Sequence, residues 1–174
     1  TAIVVAGDHG EEFMEHGNLS HYPKLYDDLV HVPLIVSEPG ETSRCVADAV
    51  GLNSIPPTVT DLLDIETPTE WEGESLFPTV ADGNSQGDDP IISVTVRGTS
   101  VTQQPIPRQL ADGDLYVSAR TRDWTYIENT VTGERELYHR ERDPGQQNDV
   151  HETGDVPADI SETLAEVASR HVSR

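Results

Sequence analysis

A short apolar segment followed at once by a polar, glycine-rich loop is the feature that most constrains this chain. Residues 2–6 read Ala-Ile-Val-Val-Ala, an uninterrupted apolar run rich in β-branched side chains. Such a run is typical of a central strand that is buried on both faces of a sheet. Gly7-Asp8-His9-Gly10 follows directly, which places Asp8 and His9 at the carboxyl end of the predicted strand. Ligands bind at this end of the strands in open α/β sheets, so the chain opens with a candidate site.

Asp8 and His9 offer two kinds of metal-binding atom. A carboxylate supplies oxygen and an imidazole supplies nitrogen, and both can bind one divalent cation. An Asp-His pair in a loop can equally be a hydrogen-bonded turn. The pair alone therefore leaves both interpretations open.

Hydrophobic patterning predicts helices and strands in alternation, followed by a run of strands. Residues 25–30 and 54–65 are predicted as helices, residues 34–36 as a strand leading to a turn at 38–40, and residues 66–90 as a loop. The remaining predicted elements are strands at 91–96, 115–120, 124–128 and 134–138, a hairpin turn at 129–133, and an amphipathic helix at 158–172.

This order predicts an α/β fold with two parts. Residues 1–90 form the end of a mainly parallel sheet, and residues 91–174 form a small antiparallel β-subdomain with a terminal helix. Trp124, Tyr126 and Tyr138 alternate along two of the predicted strands and are expected to form the core of that subdomain.

The charge of the chain excludes one class of partner. There are 32 acidic and 11 basic side chains, giving a formal net charge of −21, so a nucleic-acid-binding surface is not expected. Ten of the 11 basic residues are arginine, and Lys24 is the only lysine. An acidic excess with almost no lysine predicts adaptation to molar salt, where self-repulsion is screened, although an acidic protein of ordinary environments is the alternative.

Three further expectations come from the composition. No apolar run approaches the roughly 18–20 residues that cross a bilayer, so no membrane segment is predicted. A cytoplasmic location is the expectation, since no signal peptide is recognised. Cys45 is the only cysteine, which excludes a disulfide within the chain, and it is expected to be a small buried hydrophobe.

A series of short motifs follows the opening strand in a fixed order. Near the start they are Asp8-His9-Gly10-Glu11, Glu15-His16-Gly17, Tyr26-Asp27-Asp28 and Val32-Pro33-Leu34-Ile35. Further on they are Pro57-Thr58, Gly73-Glu74-Ser75-Leu76, Glu136-Leu137-Tyr138, Asp143-Pro144-Gly145 and Asn148. In order and spacing this series resembles the C-terminal part of the sulfatase family, within the alkaline-phosphatase-like superfamily.

The resemblance implies roles for four residues. Asp8 and His9 match the family's paired ligands of a divalent metal ion, which is usually calcium in sulfatases. Manganese and zinc remain open because they accept imidazole readily. His21 lies where many sulfatases carry a lysine that contacts the anionic group of the substrate, so it is a candidate for substrate binding or for general acid catalysis. Lys24 is a second candidate for substrate binding.

Other polar residues of this segment are expected to have supporting roles. His16 is expected to support the metal loop by hydrogen bonding, and His31 to be structural. Glu11, Glu12 and Glu15 are expected to be solvated or to cap the backbone.

The resemblance also implies a reaction. It is that of a metal-dependent hydrolase of sulfate esters, of which this chain is the C-terminal portion and lacks the half that carries the family's nucleophile. Histidine at position 21, in place of lysine, keeps a phosphodiesterase or a phosphoglycerol-transferase-type member of the superfamily open. A non-catalytic binding module is the third possibility, and oligomeric state cannot be predicted.

Overall fold

A computed structural model describes residues 1–37, 45–77, 89–98, 113–153 and 158–172. The turn predicted at 38–40 and residues 78–88 of the predicted loop lie outside the described residues. The chain divides into two compact units, one formed by Thr1–Gly7 and Pro33–Asp89 and the other by Asp8–Val32 and Pro90–Arg174. The segment Asp8–Val32, which was predicted to belong with residues 1–90, is thus grouped with the C-terminal unit. The division into domains at residue 90 remains a prediction.

The first unit contains the predicted opening strand. Strand β1 (Ile3–Ala6) pairs in antiparallel register with β4 (Leu34–Ser37), and the Gly7 amide donates to the Pro33 carbonyl at 3.1 Å. The expectation that this strand is buried on both faces is wrong for this chain, because the side chains of Ile3 and Val5 are more than half exposed. Among the described residues β4 is its one partner, and no parallel strand pair occurs there.

A helix follows in the same unit, as predicted. A short 3-10 helix (Leu52–Ser54) leads into α2 (Ile55–Leu62), whose prolines lie in the first turn. The hydroxyl of Thr58 donates to the Ser54 carbonyl at 2.6 Å and accepts the Leu76 amide at 2.8 Å, which joins the helix to the segment after it. Gly73 is required there, since a Cβ atom at this position would lie 2.0 Å from the Asn53 carbonyl oxygen.

The second unit contains a hairpin, a short helix, a sheet and the terminal helix. The hairpin pairs β2 (Glu12–Phe13) with β3 (Leu19–Ser20), and helix α1 (Asp27–Val30) follows it. Four antiparallel strands form a sheet in chain order: β5 (Ile91–Gly98), β6 (Gly113–Arg120), β7 (Trp124–Asn129) and β8 (Arg135–His139). Helix α3 (Ala158–Val172) packs against this sheet. The predicted antiparallel sheet and terminal helix are therefore confirmed.

The core of the second unit lies between the sheet and helix α3. Its buried members are Val117, Ala119, Tyr126, Leu137, Leu164 and Ala168. The alternation of β-strand side chains supplies the first four, and the helical spacing of the last two places them on one helix face. Tyr126 is buried in this core as predicted and Trp124 packs against it, whereas Tyr138 is buried in a second cluster with Leu25 and Ile127.

The structure also bears on membrane-spanning helices and on the burial of Cys45. No helix within the described ranges is long and apolar enough to cross a membrane. Cys45 is exposed, so the expectation that it is a buried hydrophobe is wrong. The residue lies in an irregular segment rather than in a helix or strand, and no neighbouring element covers it.

Leu137 provides a test of the core. Replacing this fully buried side chain by alanine leaves a cavity between the sheet and helix α3. We expect Leu137→Ala to lower the free energy of unfolding by about 2–5 kcal/mol, measured by urea denaturation. Val131→Ala, in the exposed β7–β8 turn, is the matched control and should change it by less than about 0.5 kcal/mol. Equal effects of the two substitutions would contradict the assigned core.

Candidate active site

The loop after β1 presents the Asp8 carboxylate and the His9 imidazole together. The Asp8 side chain is 93% exposed, and its Oδ2 atom lies 3.9 Å from Nε2 of His9. The other ring nitrogen of His9, Nδ1, lies 2.7 Å from the Gly10 carbonyl. A carbonyl can only accept, so this contact places a proton on Nδ1, and in the neutral ring the lone pair is then on Nε2. The hydrogen bond to Gly10 raises the pKa of His9, with a smaller contribution from the charges of Asp8 and Glu11.

The ring of His21 lies beside the ring of His9. The ring centroids are 4.4 Å apart, and Nδ1 of His21 lies 3.0 Å from a carboxylate oxygen of Glu11. The carboxylate orients the imidazole and leaves its Nε2 atom for another partner. The structure therefore brings together Asp8, His9 and His21, three of the four residues that the sequence selects.

Lys24, the fourth residue, is buried in an ion pair with Glu12. Its ammonium group donates to both carboxylate oxygens of Glu12 at 2.9 and 2.8 Å and to the His16 carbonyl at 2.8 Å. These three acceptors use all three of its N–H donors. Both side chains of the ion pair are buried, with exposures of 5% and 0%. These contacts give Lys24 a structural role, while its predicted part in substrate binding stays a prediction; the expectation that Glu12 is solvated is wrong.

Glu12 organises the hairpin that carries His21. Its Oε1 atom accepts the backbone amides of His16 at 3.0 Å and Asn18 at 2.9 Å in addition to Lys24. Burial raises the pKa of Glu12, but the hydrogen bonds from Lys24, Asn18 and His16 together outweigh it and hold the pKa below its usual value. Glu12 is therefore a charged anchor within the turn.

His16 packs away from the Asp8–His9 loop. Its ring stacks on the ring of Tyr26 at 3.6 Å between centroids, while its carbonyl holds Lys24. It thus supports the site through the hairpin rather than by a hydrogen bond to the metal loop.

Helix α1 lies directly under the loop. The Gly10 amide donates to the Leu29 carbonyl at 2.8 Å, and a Cβ atom on Gly10 would lie 1.9 Å from the Asp28 carbonyl oxygen. Only glycine permits this approach. Both carboxylate oxygens of Asp28 are buried without a hydrogen-bond partner among the described residues, and this burial raises the pKa of Asp28.

Long-range ion pairs attach this segment to the C-terminal sheet. Oδ2 of Asp27 accepts from Arg120 at 2.9 Å and from Arg140 at 3.2 Å, and the Asp27 amide donates to the side-chain carbonyl of Gln146 at 2.6 Å. The hydroxyl of Tyr26 donates to Glu136 at 3.0 Å. Sequence reasoning did not identify these partners, although Tyr26-Asp27 and Glu136 both belong to motifs of the resemblance.

The donor set at Asp8 and His9 fits part of a metal site. One carboxylate oxygen and one imidazole nitrogen with its lone pair free lie close enough to bind one cation, and both donors are used by Mn²⁺ or Zn²⁺. Among the described residues no group of three or more His, Cys, Asp or Glu side chains could hold a metal ion. Asp8 and His9 could therefore provide two ligands of such a site, and their role as metal ligands stays a prediction.

Comparison with known proteins identifies related sequences and folds. No family model matches the chain. It is 27% identical to a Δ4,5-hexuronate-2-O-sulfatase of Bacteroides thetaiotaomicron over 86% of this chain and 30% of that protein. It is 35% identical to human arylsulfatase K over 45% of this chain and 15% of that protein.

A solved structure shows the same fold. It was determined in complex with its substrate D-glucosamine-2-N,6-O-disulfate, and it superposes with a TM-score of 0.73 at 18% identity, over 98% of this chain and 33% of that one. The predicted resemblance to sulfatases and the alkaline-phosphatase-like fold class are confirmed. The chain spans less than a third of the length of the two curated relatives named above.

The buried ion pair gives a prediction about stability. Lys24→Met removes the positive charge and leaves the Glu12 carboxylate buried without it. We expect the free energy of unfolding to fall by about 3–5 kcal/mol, measured by urea denaturation. Arg170→Met, which breaks the exposed Glu166–Arg170 pair on α3, is the control and should cost less than about 0.5 kcal/mol. A loss as small as that of the control would show that Glu12 is solvated.

Asp28 gives a prediction about pH. The pKa of Asp28 is raised above its ordinary value of 3.8 in the folded chain, so the folded chain keeps this proton at pH values where the unfolded chain has lost it. The free energy of unfolding therefore falls as the pH rises from 3.8 to the raised pKa. Asp28→Asn removes this penalty, so we expect its Tm to exceed that of the unchanged chain by a few degrees at pH 7 but not near pH 3. Asp89→Asn, at an exposed aspartate outside any helix or strand, should give no difference at either pH. A lower Tm for Asp28→Asn at pH 7 would contradict the assignment.

Proposed function

We propose that this chain is the C-terminal portion of a metal-dependent sulfatase-like hydrolase that cleaves sulfate esters. The observation that carries the proposal is the position of Asp8, His9 and His21, which lie together in the loop and hairpin after a strand end. The similarity to a hexuronate sulfatase supports a cyclic alcohol, such as a sulfated sugar, as the other part of the ester.

Asp8 and His9 would hold the divalent metal ion. When bound, the ion supplies positive charge that neutralises the oxygens of the ester and polarises the sulfur centre. Calcium is the ion implied by the family resemblance, while the imidazole of His9 favours manganese or zinc. The Gly10 carbonyl fixes the tautomer of His9 that leaves Nε2 available to the ion.

His21 would act on the ester itself. Its Nδ1–H donates to Glu11, so Nε2 is the atom available to the substrate. In the protonated ring, Nε2–H can donate to an oxygen of the anionic group or transfer its proton to the leaving alcohol.

The nucleophile and the remaining metal ligands are proposed to come from a part of the protein that this sequence does not contain. Asp8 and His9 alone make an incomplete ligand set, and the curated relatives are more than three times as long as the matched region. Residues 1–174 by themselves are therefore expected to be inactive. Salt adaptation and a cytoplasmic location remain predictions from the composition.

A phosphoester hydrolase or transferase of the same superfamily is the second candidate. The observation that favours it is histidine at position 21, where many sulfatases carry lysine. Parallel turnover measurements with 4-nitrophenyl sulfate and bis(4-nitrophenyl) phosphate separate the two candidates, since both release the same chromophore. A larger kcat/KM for the phosphate diester would select the second.

The metal-site residues give the central test. In the enzyme that carries this chain, we expect Asp8→Ala combined with His9→Ala to reduce kcat/KM for 4-nitrophenyl sulfate by at least about 100-fold, because both ligands that this chain supplies are lost. The rate is measured in molar KCl with calcium, manganese or zinc added in turn. Asp64→Asn is the control and should retain full activity. Unchanged turnover in the double variant would remove the metal-site assignment.

A further inference from the structure

Three large apolar side chains are exposed on the hairpin beside the candidate site. Phe13 is 69% exposed, Met14 58% and Leu19 63%. Phe13 and Leu19 are directly paired across β2 and β3, so their side chains lie side by side on one face. We call the Phe13–Leu19 pair, together with Met14 at the adjoining turn, the hairpin surface.

The hairpin surface continues from the site along the same face. Side chains two residues apart in a strand lie on the same side, so Glu11 shares a face with Phe13, and His21 lies against Glu11 through their side-chain hydrogen bond. The register pairs Glu12 with Ser20, and the next residues outward, Glu11 and His21, are joined by a side-chain hydrogen bond of 3.0 Å. A strand rises about 3.3 Å per residue, so the centre of the surface lies about 7 Å from the Glu11–His21 pair.

The backbone beneath the hairpin surface is fixed. The buried Glu12 carboxylate, on the opposite face, accepts amides from within the turn and pairs with Lys24. Met14 and Ser20 adopt left-handed backbone conformations with φ of 82° and 78°, which cost a non-glycine residue about 1 kcal/mol or more each. The chain thus holds three apolar side chains toward solvent on a strained but anchored hairpin.

We propose that the hairpin surface binds the ring of the alcohol part of the ester, while Asp8, His9 and His21 engage its anionic group. This inference rests on the proposed function and adds the residues that select the substrate. The surface itself carries no charge and is next to the carboxylates of Glu11 and Glu15, so it suits the uncharged ring rather than the sulfate. The apolar face of a six-membered ring spans about the width of the Phe13–Leu19 pair, whose Cβ atoms are about 5 Å apart.

The test compares one ester that has a ring with one that lacks it. In the enzyme that carries this chain, Phe13→Ser and Leu19→Thr are measured with 4-nitrophenyl sulfate and with ethyl sulfate. We expect each variant to lower kcat/KM for the aryl ester by about 10-fold and to leave that for the alkyl ester unchanged. Taking the ratio of variant to unchanged enzyme for each ester removes the difference in their intrinsic reactivity. Val131→Ser, at a similarly exposed apolar residue in the β7–β8 turn, should alter neither ratio.

Other outcomes overturn the proposal in distinguishable ways. Equal losses on both esters, or no loss on either, would show that the hairpin surface does not contact the ring. If Phe13→Ser lowers the Tm of the enzyme and lowers kcat/KM equally for both esters, another part of the protein covers the hairpin surface. If the unchanged enzyme hydrolyses neither sulfate with any metal, the proposed function fails and this inference with it. Turnover of both esters with unchanged ratios overturns the inference alone.

Discussion

The candidate site depends on one buried ion pair between Glu12 and Lys24. The carboxylate gathers the ammonium group and two backbone amides, and the ammonium in turn holds the His16 carbonyl. A buried charge without its partner is costly, so the two residues can be buried only together. The turn that results brings the start and end of the hairpin side by side, and this is what places His21 against Glu11 and His9.

This ion pair also accounts for the single lysine in the composition. Lysine offers three donors around one small ammonium group, which match two carboxylate oxygens and one carbonyl in a compact arrangement. Arginine, which the chain uses at every other basic position, has a planar fork of donors and would not fit these three acceptors in the same way. The only lysine is therefore retained where the geometry of the ammonium group is needed.

A second set of ion pairs fixes the hairpin segment to the C-terminal sheet. Asp27 lies between Arg120 and Arg140. Burial lowers the pKa of Arg120 to about 10, which is still high enough for its guanidinium to be charged at neutral pH. Leu25 packs against Ile127 and Tyr138 in the same region. The site loop and the antiparallel sheet are thus parts of one compact unit, although about 60 residues separate them in sequence.

The sequence predicts local structure here much better than it predicts partners. The four strands and the terminal helix follow from short-range periodicity, and Asp8, His9 and His21 follow from motifs that lie within 14 residues of one another. The partners of Asp27 lie more than 90 residues away, and no local pattern indicates which arginine will meet which aspartate. The prediction that Glu12 is solvated was wrong for the same reason. In sequence Glu12 resembles its exposed neighbours Glu11 and Glu15, and its burial depends on Lys24, which lies 12 residues later.

The charge of the chain bears on how an anionic ester could approach this site. Asp8 lies beside His9 and Glu11 lies beside His21, and a net charge of −21 repels an anion over the whole surface. In molar salt the Debye length is about 3 Å, so this general repulsion is screened while contacts at bonding distance are retained. A cation held by Asp8 and His9, and the Nε2 atom of His21, would then be the groups that the proposed sulfate ester meets at short range. In the molar salt that the composition predicts, the acidic surface is compatible with the proposed anionic substrate, because salt screens the long-range repulsion and the candidate site provides the short-range attraction.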